Sequence, residues 1–394
     1  MKKVLLLIVI SQFLCTSLWF AGNAILPELI EHLGVGNEFL AHSTSAIQLG
    51  FIFGTLFYAL FSIADRYSPS LVFFVSALLA ALFNVGINLP QINDTSLLLL
   101  RFFTGFFLAG IYPIGIKIAA DYYQENLGKS LGYLVGALVL GTALPHLIKG
   151  MAFELPWQYV AYATSIFSVI GGFLVYAFVP DGPYRSKGKQ FKLKTIHTAF
   201  DNKSLTSAAI GYFGHMWELY AFWTFLPLML QFHQTLHPEL NYSISLYSFG
   251  IIAVGSLACI LSGYLSSFIG TEKLSRTILF LSGCCCLVSP VFIMIDSEFF
   301  FMAFLLFWSF VVIADSPLFS TLIAQNAPNE IKGSVITIVN CIGFFITIIS
   351  IQAIQIAIEY LGNEYSYLIL SLGPMVGLLY LNKLKTKNLT NPLT

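Results

Sequence analysis

The chain has 394 residues, of which 57% are hydrophobic and 10% are charged, and its mean hydropathy is +0.81. Soluble domains carry about 25% charged residues, so this composition excludes an ordinary soluble globular protein. The formal net charge is zero. We therefore expect a lipid bilayer to surround most of the chain, and we expect no nucleic-acid partner.

Twelve apolar stretches of membrane-spanning length fill the chain, and no soluble segment longer than about 25 residues separates them. Because the hydrocarbon core offers the backbone no hydrogen-bond partners, each stretch is expected to be a helix. The first stretch follows Lys2 and Lys3 as a signal peptide would, but it is long and lacks a small-residue cleavage site, so we expect it to be retained. The predicted helices 1 to 12 cover residues 5–31, 43–64, 70–89, 97–120, 128–150, 156–180, 204–232, 243–268, 275–297, 299–323, 332–358 and 362–382.

The longest soluble connection, from Pro180 to Lys203, is hydrophilic and basic and divides the helices six and six. Prolines recur at nearly equal offsets in the two halves, since Pro27 matches Pro227 and Pro113 matches Pro317. Parallel repeats of this kind are typical of transporters whose halves rock about a central site. We predict an all-α polytopic membrane protein with two six-helix bundles related by a pseudo-twofold axis. Its predicted parts are an N-terminal bundle over residues 1–180, a cytoplasmic basic linker over 181–203 and a C-terminal bundle over 204–394.

The basic residues indicate the orientation of the chain. An even number of crossings puts both termini on one side, and sixteen of the nineteen Lys and Arg residues fall in the termini and loops on that side. Acids such as Glu31, Asp94 and Asp296 collect in the loops of the other side. Since Lys and Arg favour cytoplasmic loops, both termini and the linker are predicted to be cytoplasmic.

The six cysteines all lie in apolar segments, at positions 15, 259, 284, 285, 286 and 341. They have neither metal-ligand spacing nor the pattern of an extracellular disulfide framework. We interpret them as packing residues and expect no metal and no cofactor.

Two segments resemble the signature motifs of the major facilitator superfamily. The loop after helix 2 contains Asp65-Arg66, like the family's Gly-x-x-x-Asp-Arg loop, and helix 4 contains Arg101 followed by Gly105, like its Arg-x-x-x-Gly motif. The first motif departs from the pattern, because Phe61 stands in place of its glycine. The resemblance covers all twelve helices and implies the two-bundle fold.

The resemblance also implies roles for individual residues. Asp65 and Arg66 are expected to latch an inner gate, with Asp121 at the inner end of helix 4 as the partner of Arg66. Arg101 is expected to point into the central cavity. Lys117 lies about 160° around helix 4 from Arg101 and four residues before Asp121, so a structural ion pair with Asp121 is its expected role.

Within the superfamily, helices 4 and 7 look most similar to prokaryotic porters grouped loosely with cyanate and nitrate carriers. Nitrate carriers clamp the anion with arginines in helices 2 and 8, and both predicted helices here lack Arg and Lys. The Gly-Pro-rich antiporter signature of helix 5 is missing as well. Gly132, Gly136 and Gly141 leave only a loose glycine pattern that favours close helix packing.

Ionisable residues inside a bilayer are costly and usually mark a pathway. Glu218 and His215 share one stripe of helix 7, with Glu218 near mid-length, and Asp315 lies beside Pro317 in helix 10. We interpret Glu218, Asp315 and His215 as proton-coupling candidates. The alternative for each is structural: an acid or imidazole that hydrogen-bonds a neighbouring helix.

A second set of residues is predicted to contact substrate. Gln12, Trp19 and Asn23 follow one another at helical spacing in helix 1, and Asn340 lies on a polar stripe of helix 11. Aromatic walls with two acids and one arginine suit an organic solute, including one that carries an amine or both charges, better than a small inorganic anion. The predicted substrate-binding residues are Arg101, Tyr112, Gln12, Trp19, Asn23, Trp217 and Asn340.

We therefore expect a monomeric transporter of the bacterial inner membrane that moves a small organic solute by alternating access. Proton-coupled symport, and hence import, is the first hypothesis because the antiporter signature is missing. Export of a metabolite, drug or siderophore by proton antiport is the alternative. A non-transporting membrane receptor or assembly factor is the alternative of another class. No phosphate-binding loop, metal-ligand cluster or catalytic triad spacing indicates an enzyme.

Overall fold

The computed structural model describes residues 2–123, 127–151, 156–185, 199–328 and 330–390, and these residues form helices and connections without a β-strand. Residues 186–198, which include most of the predicted basic linker, lie outside the described part. Each of the twelve predicted spans coincides with a helix, and the ends differ by a few residues except in the last helix, which covers Leu372–Thr390 where 362–382 was predicted. The twelve-helix, all-α prediction is therefore confirmed.

We number the helices α1 to α12 in chain order. They are α1 (Lys2–Thr16, Ala21–Ala24 and Leu26–Leu33), α2 (Phe39–Leu60), α3 (Pro69–Val85), α4 (Asp94–Leu108 and Tyr112–Tyr122), α5 (Leu127–Met151), α6 (Gln158–Phe178), α7 (Lys203–Leu236), α8 (Ile244–Ile269), α9 (Thr271–Ile293), α10 (Glu298–Ala314 and Ser316–Asn326), α11 (Lys332–Leu361) and α12 (Leu372–Thr390, after a 3₁₀ turn Ser366–Ser371).

Nine helices of the described chain are long and apolar enough to cross a membrane, namely α2 to α6 and α8 to α11. The apolar parts of α1 and α12 are shorter. The remaining helix, α7, has 34 residues and carries Glu218 near its middle. We call the side where α6 ends and α7 begins the linker face, and the other side the opposite face.

Three helices are interrupted along their length. In α4 and α10 the second piece begins at Tyr112 and Ser316, and each has a proline as its second residue, Pro113 and Pro317. Proline suits the first turn of a helix because its missing N–H would have no partner there. The predicted match of these two prolines is therefore visible in the structure. Pro227 instead lies inside the continuous helix α7.

Glycines allow α2 and α4 to pack with their backbones in contact. A Cβ atom built on Gly105 of α4 would lie 2.0 Å from the carbonyl oxygen of Ile47 in α2, and one on Gly50 of α2 would lie 1.9 Å from the carbonyl oxygen of Phe102. Small residues permit this close approach in membrane helices. The glycine of the Arg-x-x-x-Gly motif is thus a packing requirement.

Two pairs of helices connect the halves of the molecule: α5 packs along α8, and α2 packs along α11. Gln352 of α11 donates a hydrogen bond to Ser45 of α2 at 2.9 Å. In the α5–α8 pair, Gly136 lies against the backbone of Ser256, in keeping with the packing role expected for the helix 5 glycines. The exact division into domains 1–180 and 204–394 stays a prediction.

Candidate functional site

Six buried rings meet where the two halves of the molecule face each other. The ring centroid of Trp19 lies 4.8 Å from Phe51, 5.8 Å from Tyr220 and 5.7 Å from Phe344. Trp223 lies 5.6 Å from Tyr220 and meets Phe20 edge-on. None of these rings is more than 6% exposed. We call this group the central aromatic cluster; its members are Trp19 and Phe20 of α1, Phe51 of α2, Tyr220 and Trp223 of α7, and Phe344 of α11.

Several polar groups on and beside the cluster lack hydrogen-bond partners among the described residues. They include the indole nitrogens of Trp19 and Trp223 and both amide atoms of Gln12 and Gln48. Asn23 donates to Thr44 at 2.8 Å, but its side-chain oxygen is also unpartnered. Buried polar groups in native proteins nearly always have partners, so these groups call for an explanation.

Backbone carbonyls, and no acid of the described residues, hold the guanidinium of Arg101, whose Nε has no hydrogen-bond partner there. Its side chain is fully buried and donates to the backbone carbonyls of Leu18 at 3.2 Å and Trp19 at 2.5 Å. Both carbonyls lie in the interruption of α1 between Thr16 and Ala21, where regular helical bonds are lost. Gly22 leaves the space for the guanidinium, since a Cβ there would lie 3.1 Å from Arg101 Nε. The geometry favours a structural role over the expected position in the cavity.

Glu218 lies at the centre of a separate buried site that we call the acid pocket. Its Oε1 accepts a hydrogen bond from Ser282 Oγ of α9 at 2.5 Å and one from Trp308 Nε1 of α10 at 2.6 Å. Glu218 is 1% exposed, and no cation of the described chain lies within ion-pair distance of it. Neither Ser282 nor Trp308 was anticipated, because both sit in apolar helices without a distinguishing pattern.

His215 and Asp315 form a pair one turn away from Glu218 towards the linker face. His215 Nδ1 lies 2.8 Å from Asp315 Oδ1, and the two side chains are almost fully buried. Asp315 is the residue at which α10 is interrupted. His215 Nε2 and Asp315 Oδ2 have no hydrogen-bond partner among the described residues. The structure therefore brings together the three residues predicted for proton coupling on α7 and α10.

The acid pocket and the central aromatic cluster lie on different sides of α7. Glu218 contacts α9 and α10, whereas Tyr220 stacks on Trp19 of α1 and meets Phe344 of α11 at a tilt. Two residues along a helix correspond to a rotation of about 200°, which explains the separation. The expectation that Glu218 shares a cavity with the aromatic walls does not fit this geometry.

The other predicted substrate residues are divided between the centre and the periphery. Tyr112 of α4 is half-buried and packs against the buried core. Asn340 of α11 is half-buried too. Trp217 instead donates to the carbonyl of Ile369 at 3.0 Å and packs against α12, so it is not part of the cluster.

At the linker face the ion pairs differ from those expected. Lys117 Nζ lies 2.8 Å from Asp65 Oδ1, so the predicted Lys117–Asp121 pair is wrong. The ammonium group of Lys117 therefore pairs with Asp65 of the loop after α2 and not with Asp121 one turn along its own helix. Arg66 is exposed, and no ion pair joins it to Asp121 within the described residues. Arg185 instead bonds Asp181 and the backbone carbonyl of Tyr67.

The fold and these sites together define a multi-pass helical membrane protein whose two halves meet at a ring cluster. The family model of the Major Facilitator Superfamily matches residues 8–351, and the chain belongs to this superfamily. The resemblance read from Asp65-Arg66 and from Arg101 and Gly105 is thereby confirmed.

The structure is similar to that of the proton:xylose symporter XylE, a protein of the same superfamily, solved with 6-bromo-6-deoxy-D-glucose. The TM-score is 0.75, and the alignment covers 97% of this chain and 96% of that one. Sequence identity is 13%, so the likeness concerns the fold alone.

Two fungal relatives are similar in sequence. The MFS-type transporter acdC of Aspergillus candidus is 27% identical over 230 residues, which are 56% of this chain and 44% of the relative. The efflux pump FUBT of Fusarium oxysporum is 25% identical over 184 residues, which are 45% of this chain and 30% of the relative. The chain matches less than half the length of either relative. The bacterial inner membrane therefore stays a prediction.

Proposed function

We propose that this protein is a secondary transporter that moves a small organic solute by alternating access, coupled to protons. Membership of the superfamily supports transport. The central aromatic cluster supports alternating access, because its rings come from both halves of the molecule and would separate if the halves rocked apart. Interruptions in α1, α4 and α10 are typical of helices that line a transport pathway.

The observation that carries proton coupling is the environment of Glu218. A buried carboxylate without a cation is costly, and ionisable residues within a membrane are functional candidates for that reason. The hydroxyl of Ser282 and the indole N–H of Trp308 both donate to Glu218 Oε1, so the site can hold an ionised carboxylate. A protonated carboxyl becomes a donor as well. Binding or release of a proton therefore changes the bonds between α7 and its neighbours α9 and α10.

The His215–Asp315 pair is proposed as the second proton site. It lies one turn closer to the linker face than Glu218 and retains an unpartnered nitrogen and an unpartnered oxygen. Those atoms are available to accept or pass a proton. We propose that protons exchange between this pair and the linker face, while Glu218 holds the proton that is coupled to transport.

Asp65, Arg66 and Asp121 are proposed to control the gate at the linker face. The geometry adds Lys117, whose pair with Asp65 ties α4 to the loop after α2. The two side chains are 25% and 24% exposed. Ion pairs that water reaches contribute about 0–1 kcal/mol of stability, so this pair can break during a transport cycle.

For orientation we propose that the linker face is cytoplasmic, because the basic residues collect there. The protein is proposed to act as a monomer in a bacterial inner membrane. Symport with import is the first proposal for the direction of transport. Export by proton antiport is the second candidate, because a relative is named an efflux pump.

The test begins with a thermal-shift screen of purified protein against metabolite, drug and siderophore libraries, followed by transport in proteoliposomes. With a transported solute in hand, Glu218→Gln should abolish accumulation driven by a pH gradient and spare solute exchange, since the amide cannot release a proton. Glu359→Gln is the matched control, because Glu359 is an exposed acid of α11 without an ion pair among the described residues. The sign of the gradient that drives movement decides between symport and antiport.

Three other results would change the proposal. Normal accumulation by Glu218→Gln with an unchanged pH dependence would transfer the coupling role to Asp315. A parallel loss of stability, exchange and driven transport would make Glu218 structural. A protein that binds a solute but moves none would favour the receptor alternative.

A further inference from the structure

We infer that the central aromatic cluster binds an uncharged solute with a flat ring and hydrogen-bonding oxygen or nitrogen atoms. The inference rests on the proposed transport function and narrows its substrate class. It differs from the sequence-based expectation, which included a solute that carries an amine or both charges.

The charged side chains of the helices around the cluster are held by other groups. The terminal nitrogens of Arg101 bond backbone carbonyls of α1 and its unpartnered Nε lies against Gly22, whereas Lys117 bonds Asp65 at the linker face. Glu218 lies in the acid pocket, and Asp315 is paired with His215. A charged solute in the cluster would therefore lose its hydration without gaining an opposite charge from the described residues, which is strongly unfavourable.

The unpartnered groups in this region are mostly neutral donors and acceptors. The indole N–H groups of Trp19 and Trp223 can only donate, whereas the amides of Gln12 and Gln48 can donate and accept. The indoles require acceptor atoms on the solute, and the two amide side chains can hydrogen-bond its hydroxyl or amide groups.

These neutral groups lie on helix stripes that converge on the cluster. On α2, Thr44, Gln48 and Phe51 follow one another at spacings of four and three residues, so they share one face. Asn23 bonds Thr44, and Phe51 contacts the ring of Trp19, so this face points towards α1. The amide of Gln48 is thereby placed between two contacts with α1.

The rings themselves favour a flat partner. Tyr220 and Phe344 stack on Trp19 at interplanar angles of 29° and 26°. Trp19 belongs to the N-terminal half and the other two rings to the C-terminal half, so rocking would expose their faces. A planar solute can replace the lost ring contacts, because offset stacking is a preferred geometry of aromatic groups.

The test uses three probes with one ring system: 2-naphthamide, which is neutral, 2-naphthoate, an anion, and 2-naphthylmethylammonium, a cation. Binding to the purified full chain is measured by isothermal titration calorimetry. The neutral probe should bind at least about tenfold more tightly than either ion. Trp223→Phe keeps a ring but removes the N–H, and it should weaken binding of the neutral probe about fivefold to tenfold, the value of one hydrogen bond.

Trp157→Phe is the matched control, because Trp157 lies at the start of α6 against His32 and away from the cluster. Its affinity for the neutral probe should equal that of the wild type. Trp19→Phe is the second test variant, and gel filtration of each variant shows whether it folds. An intact Trp223→Phe protein that binds like the wild type would overturn the indole assignment.

Equal or tighter binding of an ionic probe, or binding of none of the three, would overturn the inference. The experiment can refute the proposed function without refuting this inference, and the reverse. If 2-naphthamide binds in a Trp223-dependent way but proteoliposomes move no solute, the binding site is supported and the transport function is refuted. If a charged solute is transported, transport stands and the substrate class is wrong.

Discussion

Replacing Arg101 by Met should destabilise the protein without a specific effect on solute binding. The substitution removes two hydrogen bonds to the carbonyls of Leu18 and Trp19. Hydrogen bonds between membrane helices contribute on average about 0.6 kcal/mol and at most about 1.7, so the two together amount to about 1–3 kcal/mol. Values from soluble proteins for charged donors would give about 3–6 kcal/mol. Since Met also removes the cost of a buried charge, we expect the lower range.

The assay is reversible unfolding of the purified protein in mixed micelles, with titration calorimetry of the 2-naphthamide probe as the second readout. Gly22→Ala should reproduce part of the loss, because its Cβ would lie 3.1 Å from Arg101 Nε. Arg101→Lys should fall between wild type and Arg101→Met, since one ammonium cannot match both bonds of the guanidinium. If Arg101→Met were as stable as the wild type but no longer bound the probe, the structural interpretation would be refuted.

Three further predictions follow from single contacts. Gly105→Ala should prevent folding or cost several kcal/mol, because its Cβ would overlap the backbone of α2. Gly132→Ala, whose Cβ would lie 3.6 Å from the carbonyl oxygen of Cys259, should match the wild type in the same unfolding assay. Lys117→Ala should change the transport rate in proteoliposomes but alter the free energy of unfolding by less than about 1 kcal/mol. Asp65→Ala should have the same two effects, because it removes the other member of the ion pair. A loss of probe binding in either variant would contradict a gating role. A cysteine at exposed Asp201, in an otherwise cysteine-free chain, should resist impermeant reagents in intact cells, and efficient labelling would reverse the orientation.

Hydropathy was sufficient for the fold because the bilayer sets the length of each helix. Pro113 and Pro317, which the sequence matched as marks of a repeat, lie at the interruptions of α4 and α10, where a proline removes a backbone donor. The interruption of α1 between Thr16 and Ala21 has no proline or glycine, so the sequence gives no signal from which it could be predicted. The partners of Arg101 were missed for the same reason, because they are backbone carbonyls exposed by that interruption.

The acid site could be predicted only in part. Helical periodicity placed His215 and Glu218 on one stripe of α7, but it does not state which neighbouring helix that stripe faces. Ser282 and Trp308 approach Glu218 from α9 and α10 through tertiary packing. For Lys117 the periodicity was misleading. The spacing of four residues favoured Asp121 as its partner, but Asp65 in the loop after α2 forms the ion pair.

The arrangement of α7 explains how proton and solute could be coupled in this proposal without touching. The helix is continuous from Lys203 to Leu236, unlike α1, α4 and α10. One of its sides bonds α9 and α10 through Glu218, and another presents Tyr220 and Trp223 to rings of α1 and α11. A proton that alters the bonds of Glu218 therefore alters how firmly α7 is held within its own bundle. Because a continuous helix moves largely as one body, that change reaches the central aromatic cluster through the displacement of α7 itself.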